Sequence, residues 1–247
     1  MVLSIQHPSN ISTEDNSRSN LLLNLLSETE LQRLLTNSRR VIFTAKTTLY
    51  QPQNAIKRVY FPLQGIISLM HISEAGLIAE CAAVSNEGMV GINAVFDYSF
   101  TSNFVITQTE CIAIAIPVNA IKREFNRGGK LQRVLLLYSQ ARLAQAYQNV
   151  FCSCHHTLEQ RLARWLIYYS ERLNTRDILL TQETLADLIG VRRSSLSVIA
   201  ANLRQRNIID YNRGKIEIIN AKTLKAIACN CDSVISEEYD RLLFGSG

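Results

Sequence analysis

Apolar residues recur at two different spacings along the chain, and the change of spacing separates its regions. Between residues 37 and 117, short apolar or alternating runs are separated by turn-forming residues such as Pro52 and the segment Asn86-Glu87-Gly88. Several runs of this kind predict the short strands of a compact antiparallel sandwich or barrel. From Lys130 to Cys154 the apolar residues recur every three or four positions instead, which predicts one long helix.

The stretch from Leu180 to Ile219 predicts two short helices followed by a hairpin. Thr181 is a favourable N-cap for the first helix, and Gly190 can adopt the positive φ that ends it. The second helix has an apolar stripe made of Leu196, Ile199, Ala200 and Leu203. Two strand-like runs then flank Asn212-Arg213-Gly214, whose Asn and Gly suit a tight turn. This order of elements is typical of a winged helix-turn-helix that reads DNA.

The face of the second helix opposite its apolar stripe carries small residues led by two arginines, which suits a DNA groove better than a protein core. Between Leu188 and Lys215 there are six basic residues and the single acid Asp210, an excess equal to the net charge of +5 of the whole chain. Localised positive charge favours contact with phosphates. The predicted DNA-binding residues are Thr181, Gln182, Arg192, Arg193, Ser194, Ser195, Ser197, Val198 and Arg213.

The long predicted helix has two apolar stripes. One consists of Val134, Leu137, Ala141, Ala144 and Phe151, and the other of Leu136, Leu143, Tyr147 and Val150. One stripe can cover the β domain, and the other then requires a partner. The simplest partner is the same helix of a second copy, which predicts a two-fold homodimer. The alternative is that one chain covers both stripes.

The helix that follows the long one begins with a predicted capping box, in which Thr157 is the N-cap and Gln160 reaches back to it. Trp165 is expected in the core of the C-terminal domain. Arg161 and Arg164 leave this helix by another face and are expected to be solvated.

Length and composition describe an ordinary globular protein of 247 residues, with 47% hydrophobic and 19% charged residues. The first twenty residues are rich in Ser and Asn and lack the pattern of a secretory signal, so they predict a flexible tail. No apolar run approaches the length of a membrane span, and a cytoplasmic location is expected. The predicted domains are a tail (1–20), a β-roll (21–129), a dimerisation helix (130–155) and a winged helix-turn-helix (156–247).

Six cysteines without an export signal do not predict a disulfide framework. Cys81 and Cys111 lie in apolar runs and are expected to be buried. The other four form two Cys-x-Cys pairs, the first followed by His155 and His156, so a zinc or iron–sulfur site is conceivable. Because Cys-x-Cys is less specific than Cys-x-x-Cys, no metal is predicted. The candidates for one are Cys152, Cys154, His156, Cys229 and Cys231.

An enzyme is not indicated by the sequence. It contains no glycine-rich phosphate-binding loop and no recognisable nucleophile motif, and its histidines do not mark an acid–base site: His7 lies in the tail and His71 stands alone on a strand.

Three segments in order, EGMVGINAVF (87–96), EQRLARWL (159–166) and LTQETLADLIGVRRSSLSV (180–198), resemble the Crp/Fnr family of transcriptional regulators. The resemblance implies an α+β protein with a cyclic-nucleotide-binding-like β-roll, a long dimerisation helix and a C-terminal winged helix-turn-helix. It also implies a homodimer that binds a near-palindromic operator in double-stranded DNA and contacts RNA polymerase.

The family's recognition positions fall on Arg193, Ser194 and Val198 of this chain. Arg193 matches the arginine that reads a guanine. Ser194 and Val198 replace the acidic residue and the second arginine of the catabolite activator type, so the resemblance implies a different half-site.

The effector pocket implied by the resemblance consists of Gly91, Ile92, Asn93, Thr101 and Ser102. In members that bind a cyclic nucleotide, a Gly-Glu pair holds the ribose and an Arg-Ser pair neutralises the phosphate. Here Gly91-Ile92 and Thr101-Ser102 occupy those places, so weak or no cyclic AMP binding is predicted, because a buried phosphate would lack a cationic partner. The cysteine cluster at the amino terminus of Fnr-type members is absent, since the first cysteine is Cys81. The alternative function is a redox or metal sensor that uses the five candidate ligands and acts mainly through protein contacts.

Overall fold

The computed structural model describes residues 17–212 and 214–245, which form two compact units. The first unit contains the chain up to Leu69 together with Ala83–Gln140, and the second contains Met70–Ala82 together with the chain from Ala141 onward. Most of the predicted tail, residues 1–16, lies outside the described residues, as does Arg213.

Two short helices, α1 (Leu21–Asn24) and α2 (Glu28–Leu35), precede the β-rich part of the first unit. Asn20 is the N-cap of α1 and is fully buried, with its side-chain amide donating to the carbonyl oxygens of Pro62 at 2.9 Å and Gly88 at 2.8 Å. Ser17 is also fully buried. Residues 17–20, which the sequence analysis included in the flexible tail, therefore belong to the folded unit.

Seven strands follow, and they form two sheets. They are β1 (Arg39–Phe43), β2 (Thr48–Tyr50), β3 (Arg58–Gln64), β4 (Ile67–Ile72), β5 (Ile78–Val84), β6 (Phe104–Thr107) and β7 (Cys111–Pro117). One sheet has the order β1-β7-β3 and the other β2-β6-β4-β5. β7 is antiparallel to both of its neighbours, and its alternate residues fill a core with Val41, Ile67 and Val105. The predicted antiparallel β-roll is confirmed.

A short 3-10 helix (Ile92–Phe96) follows β5, and α3 (Val118–Phe125) follows β7. The long helix α4 spans Lys130–His155, close to the predicted bounds. Tyr138 of α4 is almost completely buried in the first unit, where its hydroxyl donates to the carbonyl oxygen of Met89 at 2.9 Å and accepts from the Met89 amide at 3.1 Å. The first half of α4 is therefore an integral part of that unit.

The second unit contains the rest of the chain. Its helices are α5 (Leu158–Leu173), α6 (Gln182–Ile189), α7 (Arg193–Gln205), α8 (Ala221–Ile227) and α9 (Cys231–Tyr239), and a π-helical turn (Asp240–Phe244) follows α9. The capping box of Thr157 and Gln160 at the start of α5 is confirmed, as are the N-cap Thr181 and the left-handed Gly190 between α6 and α7.

The hairpin that follows α7 is part of a sheet of three strands rather than two. β9 (Ile209–Asn212) and β10 (Lys215–Ile218) pair as predicted, and β10 also pairs with β8 (Asp177–Leu179), where Asp177 lies opposite Glu217. The sheet order is β8-β10-β9. The helix-turn-helix is thus preceded and followed by strands of one sheet.

The two cysteines expected in the core differ. Cys111 is fully buried, whereas Cys81 on β5 is exposed. Among the described residues, no helix combines the length and apolar character that are needed to cross a bilayer.

Candidate nucleic-acid interface and cysteine cluster

The second helix of the helix-turn-helix, α7, separates a buried face from an exposed one. Leu196, Ala200 and Leu203 are buried, as the predicted apolar stripe requires. The opposite face is open to solvent along its length, and the side chain of Val198 is 67% exposed. The exposed residues at the start of the helix are Arg192, Arg193, Ser194 and Ser195. This face of α7 is therefore accessible to solvent.

Two of the predicted DNA-binding residues bind each other. The Ser197 hydroxyl donates to the side-chain oxygen of Gln182 at 2.8 Å and lies 2.9 Å from the carbonyl oxygen of Arg193. Thr181 caps α6 by accepting from the amide of Thr184 at 3.1 Å. These contacts fix the start of α6 against the middle of α7, so they set the angle at which the exposed face is presented.

Ion pairs account for half of the basic residues in the charged window. Arg204 pairs with Asp210 at 2.8 Å and Lys215 with Asp177 at 2.8 Å, while Arg206 pairs with Glu159. Within the part of the chain that the structure describes, no carboxylate pairs with Arg192 or Arg193. The uncompensated positive charge therefore lies at the amino end of α7, where the helix dipole adds to it. Arg213, predicted at the tip of the wing, lies outside the described residues.

Arg161 and Arg164 of α5 have structural partners, so the expectation that they are solvated is wrong. The Arg161 guanidinium donates to the carbonyl oxygen of Ile189, the last residue of α6, at 2.6 Å. Arg164 pairs with Asp232 at the start of α9, at 2.9 Å. Both cations hold the ends of neighbouring helices, and partners so distant in sequence leave no local signal.

Trp165 is buried, as predicted, and its ring stacks on Tyr169 with 3.6 Å between ring centroids. The carboxylate of Glu80 on β5 accepts from both residues, at 3.3 Å from the indole nitrogen of Trp165 and at 3.1 Å from the hydroxyl of Tyr169. These two bonds attach the segment Met70–Ala82 to α5 within the second unit.

Four of the five candidate metal ligands come together at the carboxyl end of α4. The Sγ atoms of Cys152, Cys229 and Cys231 and one ring nitrogen of His156 all lie within 4.8 Å of one another. The Sγ atoms of Cys152 and Cys229 are 3.6 Å apart, and Nδ1 of His156 is 3.4 Å from Sγ of Cys231. The fifth candidate, Cys154, is exposed and lies outside this group.

Polar groups surround this cysteine cluster. The side-chain amide of Gln148 donates to Sγ of Cys231 at 3.1 Å, and the backbone N–H of Cys231 donates to the thiol of Cys229. Burial raises the pKa of the Cys152 thiol to about 12 and also raises the pKa of Cys229. The three thiols are also close enough to the guanidinium of Arg164 to interact with its charge.

The predicted effector-pocket residues lie in the segment 91–102 of the first unit. Gly91 has φ = +91° and caps the 3-10 helix, and a Cβ added to it would lie only 2.6 Å from the hydroxyl oxygen of the buried Tyr50. Thr101 is buried, and its hydroxyl accepts from the Asn103 amide at 3.1 Å. The Asn93 side chain donates to the carbonyl oxygen of Phe100 at 3.4 Å. Thr101 and Asn93 therefore bond to backbone groups of the same segment.

The second stripe of α4 is exposed. The solvent-accessible fraction is 53% for Leu136, 44% for Leu143, and 65% for both Tyr147 and Val150. Four large apolar side chains at intervals of seven, four and three residues form the seam pattern of a coiled coil. Within the described residues, this stripe is not covered by the chain itself.

Comparison with known proteins agrees with this architecture. Residues 160–227 match the family described as the Crp-like helix-turn-helix domain. The chain is 21% identical over 191 residues to the global nitrogen regulator of Nostoc sp., covering 74% of this chain and 86% of the relative. It is 20% identical over 218 residues to the nitrogen fixation regulation protein FixK of Bradyrhizobium diazoefficiens, covering 85% and 91% respectively.

Solved structures share the fold. A transcriptional regulator of the Crp/Fnr family from Eubacterium rectale superposes with a TM-score of 0.71 at 15% identity, covering 85% of this chain and 98% of that one. A Crp/Fnr-family regulator from Thermus thermophilus gives a TM-score of 0.64 at 23% identity, covering 77% and 98%.

A β-roll, a long helix and a helix-turn-helix with an open, basic recognition face define a class of DNA-binding transcription regulators. Residues 160–227 belong to the Crp-like helix-turn-helix domain family, and the fold is that of solved Crp/Fnr-family regulators, in agreement with the resemblance that the sequence carries.

Proposed function

We propose that the protein is a homodimeric regulator that reads a near-palindromic operator with α7 of each subunit. The observation that carries the proposal is the exposed face of α7, on which Arg192 and Arg193 have no acidic partner among the described residues while Val198 is 67% exposed. Neighbouring basic residues are already neutralised by ion pairs, so the free positive charge is confined to the end of the helix that would enter a major groove.

Base reading is assigned to Arg193 and Val198. The guanidinium of Arg193 can donate to O6 and N7 of a guanine together, and the Val198 side chain can contact a thymine methyl group. Gln182 and Ser197 act mainly on each other, which leaves few direct base contacts in each half-site. Specificity then depends on both subunits and on the deformability of the DNA.

The homodimer is supported by the exposed stripe of α4. Leu143, Tyr147 and Val150 would pack against the same residues of a second copy around a two-fold axis. Such pairing removes the apolar surface from water, which is the main favourable term in protein association. It also provides two α7 helices for the two halves of a palindrome.

Cyclic AMP is not the proposed effector. Ile92 stands where a ribose-binding carboxylate would be required, and Thr101 where a cation would be required. Isothermal titration calorimetry with cyclic AMP is expected to show no binding in the micromolar range, and a micromolar dissociation constant would refute this part of the proposal.

The test of the proposed function is selection of bound sites from random duplex DNA with the full chain, followed by titration of the best site at several salt concentrations. Enrichment of a two-fold symmetric sequence is expected, with affinity that falls steeply as salt rises because several phosphates are neutralised. The competing function, a sensor that acts mainly through protein contacts, predicts no enriched sequence and no salt-dependent DNA binding. The proposal assigns no catalytic activity to the chain.

A further inference from the structure

We propose that Cys152, His156, Cys229 and Cys231 bind a single zinc ion. The inference concerns a site that DNA reading does not use, and it does not depend on the proposed function. All four residues belong to the second unit. Cys152 lies in the last turn of α4 and His156 directly follows that helix, while Cys229 lies between α8 and α9 and Cys231 is the first residue of α9.

Two of the six distances between the ligand atoms match the edges of a tetrahedral site, and all four atoms lie within 4.8 Å of one another. With Zn–S bonds of about 2.3 Å and Zn–N bonds of about 2.0–2.1 Å, a tetrahedron has S···S edges of about 3.8 Å and S···N edges of about 3.6 Å. The observed Sγ–Sγ distance of 3.6 Å and Sγ–Nδ1 distance of 3.4 Å are within a few tenths of an ångström of those edges. The donor set of three thiols and one imidazole is a common set for structural zinc.

The same distances describe free thiols and leave little room for a larger metal group. The Sγ atoms of Cys152 and Cys229 are in non-bonded contact, whereas the sulfur atoms of a disulfide are about 2.0 Å apart. An iron–sulfur cluster places several irons and sulfides between its cysteines, which need more room than the 4.8 Å that encloses all four ligand atoms.

The local helical geometry explains how α4 presents its two ligands. Cys152 and His156 are four residues apart, and the His156 amide still donates to the Cys152 carbonyl oxygen at 3.1 Å. Residues with this spacing lie on one face of a helix. Cys154, two residues from Cys152, lies on another face and is exposed, so it supplies a matched control.

Hydrogen-bond donors and one positive charge lie next to the thiols. Gln148 donates to Sγ of Cys231, and the backbone N–H of Cys231 donates to Sγ of Cys229. The nearby Arg164 adds a positive charge, and its buried Nε has no hydrogen-bond acceptor within the described residues. Donors and charges of this kind orient metal ligands and tune their affinity.

A zinc ion at this place would join the end of α4 to the α8–α9 connection, two segments far apart in sequence. A metal ion that binds the folded chain and not the unfolded chain stabilises the folded state by mass action. The metal-loaded chain is therefore expected to unfold at a higher temperature than the metal-free chain.

The experiment measures metal binding by the full chain in the absence of DNA. Reduced, metal-free protein is titrated with Zn²⁺ and separately with Co²⁺, with metal content measured by mass spectrometry and absorption recorded in the visible and near ultraviolet. About one ion per chain is expected, and Co²⁺ should show the intense visible bands of a tetrahedral site with thiolate charge transfer. Absence of stoichiometric binding, or the weak spectrum of octahedral cobalt, would overturn the proposal.

Variants identify the ligands. Cys229→Ser and Cys231→Ser are expected to abolish stoichiometric binding, whereas Cys154→Ser should bind as the parent does. Loss of binding in Cys154→Ser equal to that in the other two would refute the assignment.

Gln148→Ala keeps all four ligands and is expected to lower zinc affinity by about 10–100-fold at unchanged stoichiometry. If a cysteine variant does not fold, Gln148→Ala provides the test, because a zinc affinity equal to that of the parent would contradict the proposed zinc site. DNA binding enters none of these measurements, so the zinc site and the proposed function can fail separately.

Discussion

The guanidinium of Arg161 donates to the carbonyl oxygen of Ile189 at 2.6 Å, which joins α5 to the last residue of α6. The carbonyl groups at the end of a helix lack partners within the helix, and a cation there also interacts favourably with the helix dipole. Arg161 therefore holds the first helix of the helix-turn-helix against the domain that supports it.

Arg161→Ala is expected to lower the free energy of unfolding by about 1.5–3 kcal/mol, the range for a hydrogen bond to a charged group. Urea denaturation of the full chain measures this change. Arg204→Ala is the control, since that arginine makes an exposed ion pair with Asp210 and should cost no more than about 1 kcal/mol. Equal losses in the two variants would show that the bond to Ile189 contributes no more to the free energy of unfolding than an exposed ion pair does.

Arg193→Ala is expected to weaken binding to the selected operator by about 1–3 kcal/mol and to relax the preference at one guanine. Competition between the operator and its single-base variants measures both effects. Arg206→Ala, which removes an arginine already paired with Glu159, should leave the base preference unchanged. An equal loss for Arg193→Ala on operator and random DNA would exclude Arg193 as a base reader.

Tyr147→Glu places a charge in the exposed stripe of α4 and is expected to convert the proposed homodimer to monomers. Sedimentation at micromolar concentration distinguishes the two states. Leu179→Glu introduces the same charge at a leucine that is 76% exposed on β8 and should leave the dimer intact. A dimer that survives Tyr147→Glu and Leu143→Glu would place the contact elsewhere.

Glu30 predicts a pH-dependent contribution to stability. Burial alone would raise its pKa, but hydrogen bonds from Ser27 and from the backbone N–H of Leu131 outweigh it, so its pKa lies below the ordinary value of 4.5. The stabilisation is therefore present above about pH 4.5 and is lost as the pH falls through the lower pKa of the folded state.

Glu30→Gln should consequently be less stable than the parent at neutral pH, and the difference should shrink in acid. Denaturation curves between pH 3 and 7 measure it, with Glu28→Gln as a control because Glu28 is exposed. A difference that stays constant with pH would mean that the ionised form of Glu30 is not the stabilising one.

Comparison of Gly91→Ala with Gly76→Ala distinguishes the destabilisation caused by steric crowding from that caused by backbone strain. Both glycines have positive φ, +91° and +77°, but only at Gly91 would the new Cβ meet an atom, the Tyr50 hydroxyl at 2.6 Å. Each variant is expected to lose about 1 kcal/mol or more from strain, and Gly91→Ala should lose more because Tyr50 must also move. Thermal unfolding measures the two losses, and a smaller loss for Gly91→Ala would show that Tyr50 yields readily.

Features set by neighbouring residues were predictable from the sequence. Thr157 and Gln160 form their capping box, Thr181 caps α6, and Gly190 is left-handed, because each depends on residues within one helical turn. The exposed stripe of α4 follows for the same reason. Local chemistry therefore predicted the class of fold and the outline of the recognition helix.

Features set by distant residues were not predictable. β8 has three residues and is defined by its register with β10, and Arg161 depends on a carbonyl group far along the chain. The four-residue spacing of Cys152 and His156 was the available signal for the cysteine cluster, and it would have separated both from Cys154. The approach of Cys229 and Cys231 required the tertiary structure.

Because β8 pairs with β10, the two ends of the helix-turn-helix segment lie in adjacent strands of one sheet. Asp177 before the helix-turn-helix and Glu217 after it lie opposite each other in adjacent antiparallel strands. The two ends of residues 177–217 therefore leave and rejoin the domain side by side. Because Arg161 and Glu159 of α5 also bond to Ile189 and Arg206 of this segment, the helix-turn-helix is fixed to the domain both at its base and along α5.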